Sequence, residues 1–397
     1  MSPGARMECL ESVHKRYKRA SRKEKSLILD EFCATCDYHR KHAIRLLSAF
    51  KRFTKPKPKK RGRPSMYNKP SIIEPLKRIW LAANLPCSKR LKAIIPLWLP
   101  AYEREYKALS VSDLKALKAM SPATIDRVLD IYKERYRGRG RSTTKPSTLL
   151  KSHIPVKTNQ WDEKKPGFLE ADTVAHCGDS ALGDYVYTID TVDIATGWTE
   201  QRAVWGKGET GVVAQVQDIE ASLPFPLLGF DSDNGHEFLN WHLWRNFTDR
   251  KRPVQFTRSR AYHKDDNAHV EQKNWTHVRQ WLGYHRFDDE RLVEPINDLY
   301  KNEWRLYHNF FMPSVKLIEK KMVAAKTIKR YDSPKTPYQR VVESPDVELA
   351  AKKSLKEQYE KLNPFQLRRD IETKIKKIFE TLKYRRVRYA SVGDRLL

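Results

Sequence analysis

The order of apolar runs beyond residue 161 constrains the fold of this chain more than any other feature. Runs at 168–174, 185–194 and 198–205 read as three strands, the last two joined by Ala195-Thr196-Gly197, which suits a hairpin turn. A helical pattern follows at 210–221, then a short buried strand at 227–231, a helix at 236–247, a strand at 254–257 and a helix at 266–282. Three antiparallel strands followed by alternating helices and strands predict an α/β domain on a mixed five-stranded sheet.

Three carboxylates fall at the ends or on the inner faces of these elements. Asp172 lies in the first strand, within Phe168-Leu169-Glu170-Ala171-Asp172-Thr173. Asp233 follows the fourth strand in Asp231-Ser232-Asp233-Asn234-Gly235, where Gly235 frees the backbone and Asn234 tolerates unusual torsions. Glu271 lies in the last helix. At about 100° per residue, Trp275, Val278 and Leu282 fall within roughly 40° of it, so the pattern puts Glu271 at the head of a buried stripe, with Asn267 one turn earlier. By the same phase Lys273 points almost oppositely, and Arg279 flanks the stripe. Asp231 is the nearest rival to Asp233, because alternate residues of a strand share a face. Asp190 and Asp193 in the second strand are further rivals. A buried carboxylate requires a partner, and a hard divalent cation is a natural one. Magnesium, or manganese, takes oxygen ligands and keeps positions open for phosphate and water. Two such ions about 3.5–4 Å apart can clamp the attacking and leaving oxygens of a phosphoryl displacement. Taken singly, Asp in Asp-Asn-Gly is most often a turn residue and a helical Glu is usually solvated; the joint order of the three carries the reading.

Charge indicates what such a site would act on. The chain carries a net +28, distributed unevenly. Residues 1–160 hold 38 Lys and Arg against 13 Asp and Glu, 161–250 hold 6 against 16, and 251–397 hold 33 against 20. Basic flanks around an acidic middle fit a polyanion held over a cation-collecting centre. Double-stranded DNA is the expected partner. No apolar run approaches the ~18 residues of a membrane span, and five scattered cysteines argue against a disulfide framework. A cytoplasmic, nucleoid-associated protein without membrane contact is expected.

The flanks read as DNA-binding modules. Residues 1–54 predict a helix-turn-helix domain: helices at 6–20 and 22–50, Ser21 as N-cap, a break near Cys36-Asp37, and Leu27, Ile28 and Phe32 at helical spacing. Arg40, Lys41 and Arg45 on the second helix would meet phosphates or bases. Cys33, Cys36, His39 and His42 are zinc-ligand types, but their spacing is too short to close a tetrahedron, so a buried cysteine and solvated histidines are expected. Residues 55–70 form a basic linker in which Arg61-Gly62-Arg63-Pro64 matches the core of an AT-hook, a minor-groove reader. Residues 71–136 predict a second helix-turn-helix domain, with Ser121 capping a helix that starts at Pro122 and carries Thr124 and Arg127. Residues 137–160 are a basic linker, 161–290 the catalytic domain, and 291–397 a mainly helical, charged region. Its segment 352–384 suits a partner helix, a coiled coil or a DNA clamp.

In the motifs Leu169-Glu170-Ala171-Asp172-Thr173, Asp231-Ser232-Asp233-Asn234-Gly235-His236-Glu237-Phe238 and Asn267-Ala268-His269-Val270-Glu271-Gln272-Lys273-Asn274-Trp275, the chain resembles the DDE transposases with an integrase-type core, including bacterial insertion-sequence transposases. Between Asp233 and Glu271 lie 37 residues, close to that family's usual gap. The resemblance spans 165–285. It implies a ribonuclease H-like fold and a triad of Asp172, Asp233 and Glu271 holding two Mg ions. It also implies that Asn267 approaches the DNA, and that transposon ends are cleaved and their 3′-hydroxyls joined to target DNA by a homodimer or higher homo-oligomer. Retroviral integrases carry an N-terminal His-His-Cys-Cys zinc module; this chain lacks that order, so zinc does not carry over. Two other classes remain. A metal-dependent nuclease would share the triad without needing two DNA-binding modules, and a DNA-binding regulator would keep the modules without needing the triad.

Overall fold

The computed structural model describes residues 1–49, 66–136, 163–232, 238, 241–258, 268–323 and 326–393. The chain divides into two compact units, Met1–Ser65 and Met66–Leu397. The first holds α1 (Pro3–Arg19), α2 (Arg22–Cys36) and α3 (Arg40–Ala49) around Leu10, Leu29, Phe32, Cys36, Ala43 and Leu47. Ser21 caps α2 in a reciprocal box with Glu24, and Asp37 ends it in the left-handed conformation (φ 55°). Ile28 and Phe32 face the core as expected, whereas Leu27 is exposed on the far side of the same turn.

In the larger unit, four helices come first: α4 (Pro70–Ala82), α5 (Ser88–Glu105), α6 (Val111–Ala119) and α7 (Pro122–Tyr136). The α7 start is as expected, with the Thr124 amide donating to Ser121 Oγ at 3.2 Å. The apolar pattern over 89–98 predicts a helix ending near Trp98, and α5 runs on to Glu105. Pro96 and Pro100 sit on its exposed side, where water can take the carbonyls they leave unpaired, while Leu91, Ile94, Ile95, Trp98 and Tyr102 bury the other.

The sheet follows with β1 (Phe168–Ala175), β2 (Val186–Asp193), β3 (Thr199–Trp205), helix α8 (Glu209–Ser222), β4 (Gly229–Ser232), helix α9 (Trp241–Thr248) and β5 (Gln255–Arg258). Strand order is β3-β2-β1-β4-β5; β2 is antiparallel to β1 and β3, and β4 is parallel to β1 and β5. This is the mixed five-stranded sheet expected from the order of runs, with the ribonuclease H-like strand order that the resemblance implies. The β2–β3 turn is held by Asp193, which accepts from the Gly167 amide and from both the amide and hydroxyl of Thr196 at 2.6–2.8 Å. Gly197 takes φ 74° there, which glycine adopts without strain.

One face of the sheet, through Leu169, Ala171, Ile189, Val204 and Phe230, packs on Val212, Val216 and Ile219 of α8 and on Leu243 and Phe247 of α9. The opposite face meets a run of helices. These are α10 (Ala268–Lys273), continuing as a π-helix over Asn274–Arg279 into α11 (Gln280–Leu282), then α12 (Val293–Leu299) and α13 (Arg305–Phe311). A ribbon of β6 (Leu317–Val323) and β7 (Lys326–Tyr331) precedes α14 (Pro337–Glu343), α15 (Leu349–Lys361) and α16 (Pro364–Gly393). A single hydrophobic core runs from Ile72 of α4 through Val174, Trp198, Leu282 and Trp304 to Ile378 of α16. Buried polar links stitch the same parts together: Trp98 Nε1 donates to Phe311 O at 3.3 Å and Tyr307 OH to Ala82 O at 2.8 Å. No described helix is long and apolar enough to cross a membrane, and all five cysteines are free.

Candidate active site

Strand alternation sorts the β1 side chains. Leu169 and Ala171 enter the α8–α9 core, so Glu170 and Asp172 share the opposite face, under α10. The registers extend this polar stripe sideways, since Asp190 of β2 pairs with Asp172, Gln201 of β3 with Asp190, and Asp231 of β4 with Glu170. Four carboxylates therefore form a row across three central strands, with Glu170, Asp190 and Asp231 buried and Asp172 half-buried.

Helix α10 and the π-helical turn that continues it are tied to this row at two points. The Val270 amide donates to Glu170 Oε2 at 3.2 Å, and Asn274 Nδ2 donates to Asp172 Oδ2 at 2.6 Å, while the Thr173 amide takes Asp172 Oδ1 at 2.7 Å. Glu271 lies in the sequence between the two tethers, and its backbone is part of α10. Asp231 Oδ1 accepts from Thr257 Oγ1 at 2.5 Å, which anchors the end of β4 to β5. Asp233, Asn267, Arg61 and Arg63 lie outside the described residues, as does the Glu271 side chain.

The row is electrostatically crowded. Asp190 Oδ1 accepts from Gln201 Nε2 at 2.8 Å, but Oδ2 is buried without a hydrogen-bond partner. Burial raises the Asp190 pKa to about 7; the Gln201 bond and the Lys273 charge oppose this, and the Asp172 charge adds to it. Lys273 thus acts on the acid row, contrary to the expectation that it points away. The phase argument assumed solvent behind the helix, yet Arg90 of α5 and Arg340 of α14 also act on Lys273. Burial, these two cations and the opposing pull of Asp190 leave its ammonium at about 8. A second correction concerns Trp275, expected to be buried and 53% exposed. The π-helical i→i+5 bonding over 274–279 turns the chain less per residue than 3.6-residue spacing assumes, so the inward positions become Val270, His277, Val278 and Leu282.

The remaining expected contact residues are scattered. Arg279 donates to Ala175 O at 2.7 Å and lies over the Tyr284 ring, clamping the end of β1. Arg40 is paired with Asp30 and bonded to Ser26, whereas Lys41 and Arg45 are exposed. Arg127 is exposed and donates to Thr124 Oγ1 at 3.2 Å. Cys36 is buried, His39 and His42 are exposed, and no group of three metal-ligating side chains converges among the described residues. Asn274 and Gln201 were not singled out from sequence. Asn274 lies inside a motif already noted, but nothing in the sequence aligns Gln201 with Asp190 until the β2–β3 register is known.

No family model matches the chain. Among solved structures it is similar to retroviral integrases. One is the simian T-cell lymphotropic virus intasome in complex with PP2A regulatory subunit B56 gamma, at 13% identity over 63% of this chain and 76% of that one, TM-score 0.34. Another is the catalytic core domain of BIV integrase, at 13% identity over 44% and 91%, TM-score 0.26. The HTLV-2 integrase catalytic core domain in complex with magnesium matches at 17% identity over 38% and 91%, TM-score 0.27. The fold rests on the strand order and registers above. The uncharacterized protein y4rM of Sinorhizobium fredii (strain NBRC 101917 / NGR234) is 39% identical over 344 residues, covering 86% of this chain and 96% of that protein, and the chain belongs to the same family as y4rM.

Proposed function

We propose that this protein is a DNA transposase with an integrase-type core, which binds the ends of a mobile element and joins their 3′-hydroxyls to target DNA. The observation that carries the reading is the acid row on β2, β1 and β4, with α10 tethered to β1 on both sides of Glu271. A crowded set of hard oxygen donors with an unpartnered buried oxygen on Asp190 fits divalent magnesium or manganese. Asp172, Asp233 and Glu271 would hold two such ions. When bound, these would supply Lewis-acid stabilisation of the charge that develops on the phosphate oxygens. The chain's own residues do the rest. Asn274 orients Asp172, Glu170 fixes the start of α10, and Lys273 offsets negative charge in the row. DNA would be brought in by α3 through Lys41 and Arg45, with Arg40 behind them, and by α7 through Thr124 and Arg127. Arg61 and Arg63 of the linker, Asn267 and Arg279 would complete the approach. The division into two helix-turn-helix domains, a catalytic domain at 161–290 and a helical C-terminal region belongs to this reading. So do a homodimer or higher oligomer on DNA and a nucleoid-associated location.

The test supplies a pre-cleaved element end, target plasmid and Mg²⁺. Asp172→Asn, Asp233→Asn and Glu271→Gln should each lower joined product by at least about a hundredfold while still binding DNA. Near-normal joining by any one removes it from the triad. Cleavage without joining in the wild type would make the protein a nuclease, and binding alone a regulator.

A further inference from the structure

After α13 the chain leaves the body as the β6–β7 ribbon, whose strands pair only with each other. Its base is firmly held. Ser314 and Lys335 exchange backbone hydrogen bonds of 2.9 and 3.1 Å, and the Lys316 amide donates to Asp332 Oδ1 at 2.6 Å. Arg340 reaches Asp332 at 2.5 Å and Ser314 O at 2.9 Å. Beyond that base no described side chain joins any hydrophobic core. Both faces are open: Ile318 is 64% exposed, Met322 81% and Ile328 56%. Lys321, Lys329 and Arg330 are exposed among them, with Lys321 paired to Glu319.

Apolar side chains on both faces of a projecting ribbon indicate a surface that is covered in the working protein. Charge identifies the covering partner. Residues 315–331 contain six lysines and arginines against Glu319 alone, and the register sets Lys320 opposite Lys329. A second copy of so basic a ribbon would be repelled, whereas a polyanion would be attracted. The major groove of duplex DNA admits a two-stranded ribbon, and Ile, Leu and Met serve as wedges against base steps in the minor groove. Seven residues in β6 make the arm roughly 20 Å long, enough to follow a groove.

We propose that the β6–β7 ribbon is a DNA arm, which enters a groove of the duplex, sets Ile318 and Met322 against the bases and brings Lys321, Lys329 and Arg330 to phosphates. This rests on the transposase reading for its partner but concerns a surface that reading does not use. The full-length protein, a Lys321→Ala/Lys329→Ala/Arg330→Ala variant and an Ile318→Ser/Met322→Ser variant are titrated with labelled duplex at several salt concentrations. Sedimentation and melting are followed in parallel. The basic variant should lose about two to three units of the salt slope, and affinity at least tenfold. The apolar variant should lose affinity at an unchanged slope, and both should melt with wild type. Unchanged affinity and slope in both ribbon variants, with wild type still binding and joining DNA, would overturn the arm alone. A ribbon variant that loses its oligomeric state but keeps its salt slope would make the ribbon a contact between copies. Absence of duplex binding by the wild type would overturn both readings.

Discussion

Asp172, Asp190 and Glu170 differ in environment although they share one face of one sheet. Asp172 has donors on both oxygens, Glu170 accepts from a helix amide, and Asp190 keeps one oxygen buried and unpartnered. The sequence singled out Asp172 alone of this group, although strand alternation, strictly two, puts Glu170 on the same face once β1 is recognised. It could not rank Asp190 or foresee Gln201 beside it, since both depend on register between strands. A residue-scale prediction concerns His176, which is buried, stacked on Phe287 at 4.6 Å and bonded through Nε2 to Thr188 at 2.8 Å. Burial and the Arg279 charge lower its pKa to about 3 from 6.5. The unfolded chain therefore takes up the proton first. The stability due to neutral His176 is complete above pH 6.5 and is lost as the pH falls toward 3. His277 and His308, buried and stacked on each other, are lowered in the same direction. His176→Gln should flatten the fall of unfolding free energy across that window by about 1.4 kcal/mol per pH unit. Equal slopes in urea titrations of the two proteins would show that His176 is not the proton-linked group.

At the scale of elements, α10 matters through its attachment. It opens a continuous helical run to Leu282, and its first turn is fixed by the two tethers to β1 and by the buried Val270. Glu170→Ala should release the Val270 amide, speed hydrogen exchange across 268–273 by about tenfold or more, and lower joining without lowering duplex affinity. Unchanged exchange there would mean that packing alone holds the helix. The sheet was legible element by element, because its strands alternate or run apolar between turn residues. The late helix was legible in extent but not in phase. Its central turn is π-helical, with His277 stacked on His308 and Val278 buried, tertiary contacts that local propensity does not announce. The extension of α5 past Trp98 was likewise hidden, because Pro100 signals a break unless tertiary packing sustains the opposite face.

At the scale of the whole molecule, the helices before the sheet and those after it share a core, which no local pattern announces. Trp98 lies at that junction, edge-on to Tyr307, Phe311 and Phe365. Trp98→Ala should cost about 3–5 kcal/mol and lower the calorimetric transition of the unit spanning Met66–Leu397, leaving that of Met1–Ser65 in place. A shift confined to a small sub-transition would mean that α4–α7 unfold on their own. Basic flanks around an acidic centre are the whole-chain pattern behind the proposed function, and the central claim is that Asp172, Asp233 and Glu271 meet around shared cations. Anomalous diffraction from DNA-bound protein with Mn²⁺ tests this most directly. Two peaks about 3.5–4 Å apart, each within coordination distance of Asp172 and one of the other two carboxylates, are predicted. Manganese seated elsewhere, or on Asp190 and Asp231 with Asp233 and Glu271 turned away, would contradict it.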